Sequence, residues 1–217
     1  MVWSNSTTTR NADIDIERTH VKAPALRRAV RCRGRIASMD VPYWACLCIS
    51  HAEWGTRKVP GKPNPEFLRR AIALAIENVA AGKGGPFAAV IVRDGRIVGE
   101  GANSVTATND PTAHAEVNAI RAAAKALGTF TLAGCELYTS CEPCPMCLAA
   151  AYWARVDAVY HGASAADAAR AGFDDAFLYG ELRKDPAGRK LRATQLLGDE
   201  AWASFAAWIA SPNKVEY

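Results

Sequence analysis

His114-Ala115-Glu116 and, further along, Pro143-Cys144-Pro145-Met146-Cys147 hold an imidazole, two thiols and a carboxylate that one fold has to gather at a single point. That requirement restricts the fold, because short-range ligand pairs from two distant segments must open toward the same place. His114, Cys144 and Cys147 are ligand types that zinc prefers. A catalytic zinc site usually takes three protein ligands and leaves its fourth position to water, whereas a structural site closes the tetrahedron with protein. Glu116 is then a carboxylate beside the metal and outside its ligand set. It is suited to moving protons to and from a water whose pKa the metal lowers to about 7.

Local patterns place these groups on helix starts. Asp110-Pro111-Thr112 reads as a turn and N-cap, and Val117, Ile120, Ala124 and Leu127 recur at helical spacing, so a helix is expected from Ala113 to Leu127 with His114 and Glu116 in its first turn. A second helix is expected from Pro143 to Val156, where Cys144 and Cys147 form an i,i+3 pair on one face. Unpaired N–H groups and positive dipole ends at two such N-termini favour thiolates and developing anions. A closed site built from Cys141, Cys144, Cys147 and His114 is the alternative arrangement. It leaves Glu116 without a task and draws Cys141 from the strand-to-helix loop. A second copy of the tripeptide, His51-Ala52-Glu53, has no Pro-Cys-x-x-Cys at comparable spacing and lies in an aperiodic stretch, so context rather than the tripeptide carries the meaning.

A chain of 217 residues that is 50% hydrophobic accommodates one domain with a substantial core plus an extension. Its charge is unevenly spread: residues 1–64 hold 11 Lys/Arg against 5 Asp/Glu, and residues 65–217 hold 15 against 17. The expected catalytic part is nearly neutral, which argues against a nucleic-acid partner there. Seven cysteines, three of them around the metal motif, fit a reducing compartment better than a disulfide framework. No stretch approaches the roughly 18 apolar residues of a membrane span, and the run Val41–Ile49 contains Pro42 and starts too late for a signal segment. The expectation is a soluble cytoplasmic protein with no membrane association.

Residues 1–64 lack a sustained period and read as a basic, disordered extension. A nucleic-acid-binding arm and a true start at Met39 are alternatives for this part. Regular signals begin at Asn64, which can cap a helix with Pro65 at its first position and Phe67, Ala71, Ile72, Ala75 and Val79 along it. Phe87–Val92 and Arg96–Gly101 flank Asp94-Gly95 and predict an antiparallel hairpin. Glu136–Ser140 and Asp157–His161 flank the cysteine helix and predict parallel pairing through a right-handed crossover. Lys190–Leu197 offers a fifth strand, and Glu200–Ala210 a final helix with Trp202, Phe205 and Trp208 on one side. The expected fold is α/β: a three-layer α/β/α domain over residues 65–217 with a five-stranded mixed sheet, its ligand site at the carboxyl ends of the parallel strands.

The pattern H-x-E…P-C-x-x-C is the signature of zinc nucleobase deaminases. From Pro65 to Tyr217 the chain resembles the cytidine deaminase-like superfamily and, within it, the bacterial guanine deaminases. The resemblance implies one zinc per subunit on His114, Cys144 and Cys147, with Glu116 as proton shuttle. It implies that Asn103, in Gly101-Ala102-Asn103, contacts the purine. Asp175, in Ala171-Gly172-Phe173-Asp174-Asp175, would face the guanine edge as a catalytic residue. Phe87, Ala115 and Trp153 would line the base site, and Asn213-Lys214-Val215-Glu216-Tyr217 would cover the pocket of the partner subunit in a swapped homodimer. The implied activity is hydrolysis of guanine to xanthine and ammonia. A tRNA-specific adenosine deaminase or guanosine deaminase of the same superfamily, and a non-catalytic zinc-binding module, are the competing readings.

Overall fold

The structure is a computed structural model, described here for residues 61–216. The basic extension up to residue 60, the second tripeptide at His51 and the terminal Tyr217 lie outside the described residues.

Helix α1 (Pro65–Ala80) starts where its cap chemistry requires: the Asn64 side chain accepts the Glu66 N–H at 3.0 Å, and Pro65 needs no partner at the first position. Strands β1 (Ala88–Arg93) and β2 (Arg96–Ala102) form an antiparallel hairpin. Its turn residues Asp94 and Gly95 both adopt positive φ, 51° and 72°, the twist that a two-residue hairpin turn needs. A short helix α2 (Val105–Thr108) leads to α3 (Ala115–Leu127), followed by β3 (Cys135–Cys141), α4 (Pro145–Trp153) and β4 (Ala158–Ala163). The sheet order is β2-β1-β3-β4, with β1 antiparallel to both neighbours and β3 parallel to β4.

Alternation along the central strands builds two cores. Ala89, Ile91 and Leu137 pack with Ala115, Ala119, Ala123 and Ala151 of α3 and α4 on one face, and Val90, Val92 and Tyr138 pack with Phe67, Leu68 and Leu74 of α1 on the other. The result is the expected α/β/α layering around a mixed sheet.

That sheet has four strands among the described residues, not five. The chain leaving β4 enters α5 (Ala165–Arg170) and α6 (Asp175–Leu182), and α6 packs against α4 and α5. Lys190–Leu197 is an exposed, irregular segment in which Leu191, Leu196 and Leu197 all face solvent, so its apolar residues have no sheet face to bury. Helix α7 (Gly198–Ala210) follows.

The seating of α3 depends on two glycines. A Cβ on Gly99 would lie 2.6 Å from the Ala123 nitrogen and 2.7 Å from the Ala119 carbonyl oxygen, and one on Gly101 would overlap the backbone of Ala119 and Ala115. Glycine on β2 opposite the alanine row of α3 therefore brings helix backbone onto strand backbone. Gly101→Ala is expected to cost about 1–3 kcal/mol through overpacking, read as a lowered denaturation midpoint. It should also weaken zinc retention, because the displaced segment begins one residue after His114. An unchanged midpoint would show that the close approach is dispensable.

Candidate active site

Two proline-controlled turns place the ligands. Asp110 Oδ1 accepts from the Thr112 N–H and hydroxyl at 2.8 and 2.7 Å, and the Ala113 N–H returns to the Asp110 carbonyl at 3.1 Å. The turn delays the helix, so His114 is the extended N-cap of α3 (ψ 156°) and not a residue of its first turn as expected. Cys144 is likewise the N-cap of α4 (ψ 167°), because Pro145 disfavours helical backbone in the residue before it. Cys147 lies one turn further, fully buried.

The two sulfurs and the imidazole converge. His114 Nδ1 is 3.6 Å from Cys144 Sγ and 3.5 Å from Cys147 Sγ, and the ligand atoms of all three residues lie within 4.8 Å of one another. A tetrahedral zinc with N at about 2.05 Å and S at about 2.3 Å has an N···S edge of about 3.6 Å. The donor set and its spacing therefore fit zinc. Cys141 stands outside this triangle: its thiol donates to the Ser164 carbonyl at 3.6 Å, and burial pushes it up to about 11. The closed four-ligand arrangement is not what the fold assembles.

The two thiols shift each other in opposite directions. The hydrogen bond from Cys147, with burial opposing it and His114 adding to it, pushes Cys144 down to about 4, while Cys147 is held up, chiefly by that same bond. His114 is raised, first by its bond to Cys144. Glu116 retains only 6% of its surface, accepts from the Thr139 hydroxyl at 3.3 Å, and is raised by desolvation first. Asp175, the first residue of α6, is raised by desolvation and then by the Cys144 charge. A bound cation would reverse the sign of this local field.

A cavity of about 320 Å³ opens beside the triangle, lined by Phe87, Asn103, His114, Glu116, Cys144 and Asp175 of the expected residues. Asn103, 8% exposed, has its Oδ1 engaged by the Gly85 and Val105 N–H groups at 3.3 Å each, which leaves its amide N–H groups as donors. Ala115 and Trp153 do not line this cavity. Ala115 is fully buried in the α3–β2 contact. Trp153 is 64% exposed at the end of α4, and it does not line the cavity. The α4 sequence is apolar nearly all round, so periodicity offers no guide to which way that residue faces.

Other residues complete the site. Phe173 meets Phe87 edge-on at 4.6 Å and shares the wall with it. Glu142 also lines the cavity and accepts the Ala165 N–H at 2.9 Å, tying the metal loop to α5. Asn78 donates to the Gly85 and Asn103 carbonyls at 2.9 Å each, and Asn118 donates to the Ala102 carbonyl at 2.9 Å and the Ala113 carbonyl at 3.3 Å. Asn78 had a readable signal, since it is a polar residue continuing the buried stripe of Ala71 and Ala75.

Comparison with known proteins agrees with this geometry. Residues 62–163 match the cytidine and deoxycytidylate deaminase zinc-binding region. The guanine deaminase of Bacillus subtilis (strain 168) is 57% identical over 151 residues, covering 70% of this chain and 97% of that protein. The X-ray structure of guanine deaminase from Bacillus subtilis superposes with a TM-score of 0.69 at 55% identity, covering 71% of this chain and 99% of its own. A tRNA-specific adenosine deaminase of Agrobacterium fabrum is 47% identical over 78 residues, only 36% of this chain and 51% of that protein. The likeness to the guanine deaminase runs through almost the entire length of that protein, whereas the likeness to the adenosine deaminase covers about half of its own: the chain belongs to the guanine deaminase family.

Proposed function

We propose that the protein hydrolyses guanine to xanthine and ammonia, with Glu116 as its proton-transfer residue. The observation that carries this reading is a buried carboxylate, Glu116, outside the ligand triangle yet lining the same cavity as His114, Cys144, Asn103 and Asp175. Zinc, if held by His114, Cys144 and Cys147, would act there as a Lewis acid that lowers the pKa of a water to about 7.

Glu116 would take one proton from the attacking water and give it to a ring nitrogen as the water oxygen bonds to C2; it would then take the second proton from the added hydroxyl and deliver it to the amino group as the C2–N bond breaks, so that water and guanine give xanthine and ammonia. Burial favours that cycle, because a desolvated carboxylate takes up a proton more readily than an exposed one. Asn103 offers amide N–H groups to an acceptor on the base. Asp175 accepts from the ring N1–H and the neighbouring 2-amino N–H of guanine, an adjacent pair of donors that adenine lacks. Phe87 and Phe173 give the ring apolar walls. The near-neutral catalytic part opposes a tRNA substrate.

Purified protein incubated with guanine, guanosine, cytosine, adenine and a tRNA anticodon stem-loop should release ammonia from guanine above all. Preferential release from the stem-loop or from guanosine would replace this substrate assignment. Glu116→Gln should retain zinc and lose about 10²–10⁴-fold in turnover; near-normal turnover would remove Glu116 from the mechanism.

The working unit in this reading is a homodimer in which the C-terminal segment crosses to the partner. Trp202, Phe205, Trp208 and Ile209 of α7 are exposed on the single chain, as are Ile72, Ile76 and Val79 of α1. Exposed apolar surface of this extent marks an interaction site. Residues 65–217 form the catalytic domain in this proposal, and residues 1–64 an appended extension. The four cysteines described are unpaired, which suits a cytoplasmic setting. No described helix is long and apolar enough to cross a membrane. Deleting Asn213–Tyr217 should lower guanine turnover while leaving zinc content and the thermal midpoint unchanged, and full activity in the truncated protein would refute a covering role for the tail.

A further inference from the structure

Helix α6 supplies Asp175 to the cavity, yet little of it is fixed by burial. None of its residues is buried, its N-cap Asp174 makes no side-chain capping bond, and Leu178 and Leu182 are exposed. A helix lacking a buried face is ordinarily free to shift against its neighbours, because packing supplies most helical stability. A carboxylate that has to meet a substrate edge tolerates little of that freedom, since displacement of about 1 Å from the productive geometry can cost 10²-fold in rate.

One contact opposes the shift. The Tyr179 hydroxyl donates to the Pro143 carbonyl oxygen at 2.9 Å. Pro143 immediately precedes the ligand Cys144, and its carbonyl belongs to the loop that turns β3 into α4. Tyr179 follows Asp175 by four residues, so the two side chains lie on the same face of α6, one turn apart. Among the described residues Tyr179 is the one side chain of α6 that hydrogen-bonds this loop. Phe173, just before the helix, rests edge-on against Phe87. The helix is thus pinned before its start by an aromatic contact and in its second turn by a directional hydrogen bond.

We infer that Tyr179 is a positioning residue, which sets Asp175 over the metal site by tying α6 to the carbonyl next to the first cysteine ligand. The inference rests on the reading of Asp175 as a residue that faces the base. Tyr179 itself does not line the cavity and acts through Asp175.

The experiment is a double-mutant cycle on the full chain loaded with zinc, using Tyr179→Phe, Asp175→Asn and the pair, with guanine turnover and amide hydrogen exchange of α6 as readouts. Phenylalanine keeps the ring and deletes only the hydrogen bond, so Tyr179→Phe should fold, keep its zinc, lose about three- to tenfold in kcat/KM, and exchange faster in α6 alone. In the Asp175→Asn background the same substitution should cost nothing further, because the group it positions is already gone. Unchanged kcat/KM in Tyr179→Phe, or an equal loss in both backgrounds, would overturn the inference. Should the parent protein fail to deaminate guanine, the substrate reading falls and exchange still decides: faster exchange confined to α6 supports the tether, and unchanged exchange overturns it.

Discussion

The structure depends on two helix N-caps meeting. His114 and Cys144 are thirty residues apart, each is the extended residue that opens a helix, and their Nδ1 and Sγ atoms stand 3.6 Å from one another. An N-cap residue has non-helical backbone and points back from its helix, so both helices can aim backbone N–H groups and dipole ends at a common centre. That arrangement requires α3 and α4 to lie on the same face of the sheet, which the shared core of Ala115, Ala119, Ala123, Ala151 and Leu137 provides. Close packing there is possible because Gly99 and Gly101 face an alanine row on α3.

Charge follows from the same geometry. Burial raises both carboxylates that flank the triangle, Glu116 and Asp175, and the Cys144 charge adds to it. Polar side chains outside the cavity keep its walls in register. Asn78 and Asn118 hold the ends of the loops that carry Asn103 and His114, and Glu142 and Tyr179 join the metal loop to α5 and α6. The site is therefore fixed by a ring of backbone carbonyls and N–H groups as much as by its hydrophobic core.

Much of this was legible in the sequence where a residue has one physical use. Asn64-Pro65 can begin a helix in one way, Asp94-Gly95 suits a hairpin turn, and a strand on each side of a cysteine helix implies parallel pairing. Legibility fell where several uses compete. Lys190–Leu197 has the composition of a strand but finds no sheet face to bury it, and α5 and α6 are too short and too exposed to show a period. Both helices begin two residues later than expected, at Ala115 and Pro145, because prolines and an Asp turn act on the preceding backbone. Trp153 does not line the cavity of the single chain, and a helix apolar on all sides does not reveal in its sequence which way such a residue faces. Asn103 and Asp175 do reach the cavity, although resemblance and not spacing had nominated them.

All of this converges on an open zinc site of one nitrogen and two sulfur ligands with Glu116 outside it. X-ray absorption at the zinc edge of the purified protein tests that most directly. Two sulfur scatterers at about 2.3 Å with two nitrogen or oxygen scatterers at about 2.0–2.1 Å are predicted. Three sulfurs with a single light scatterer would mean that Cys141 closes the site and that it is structural, not catalytic.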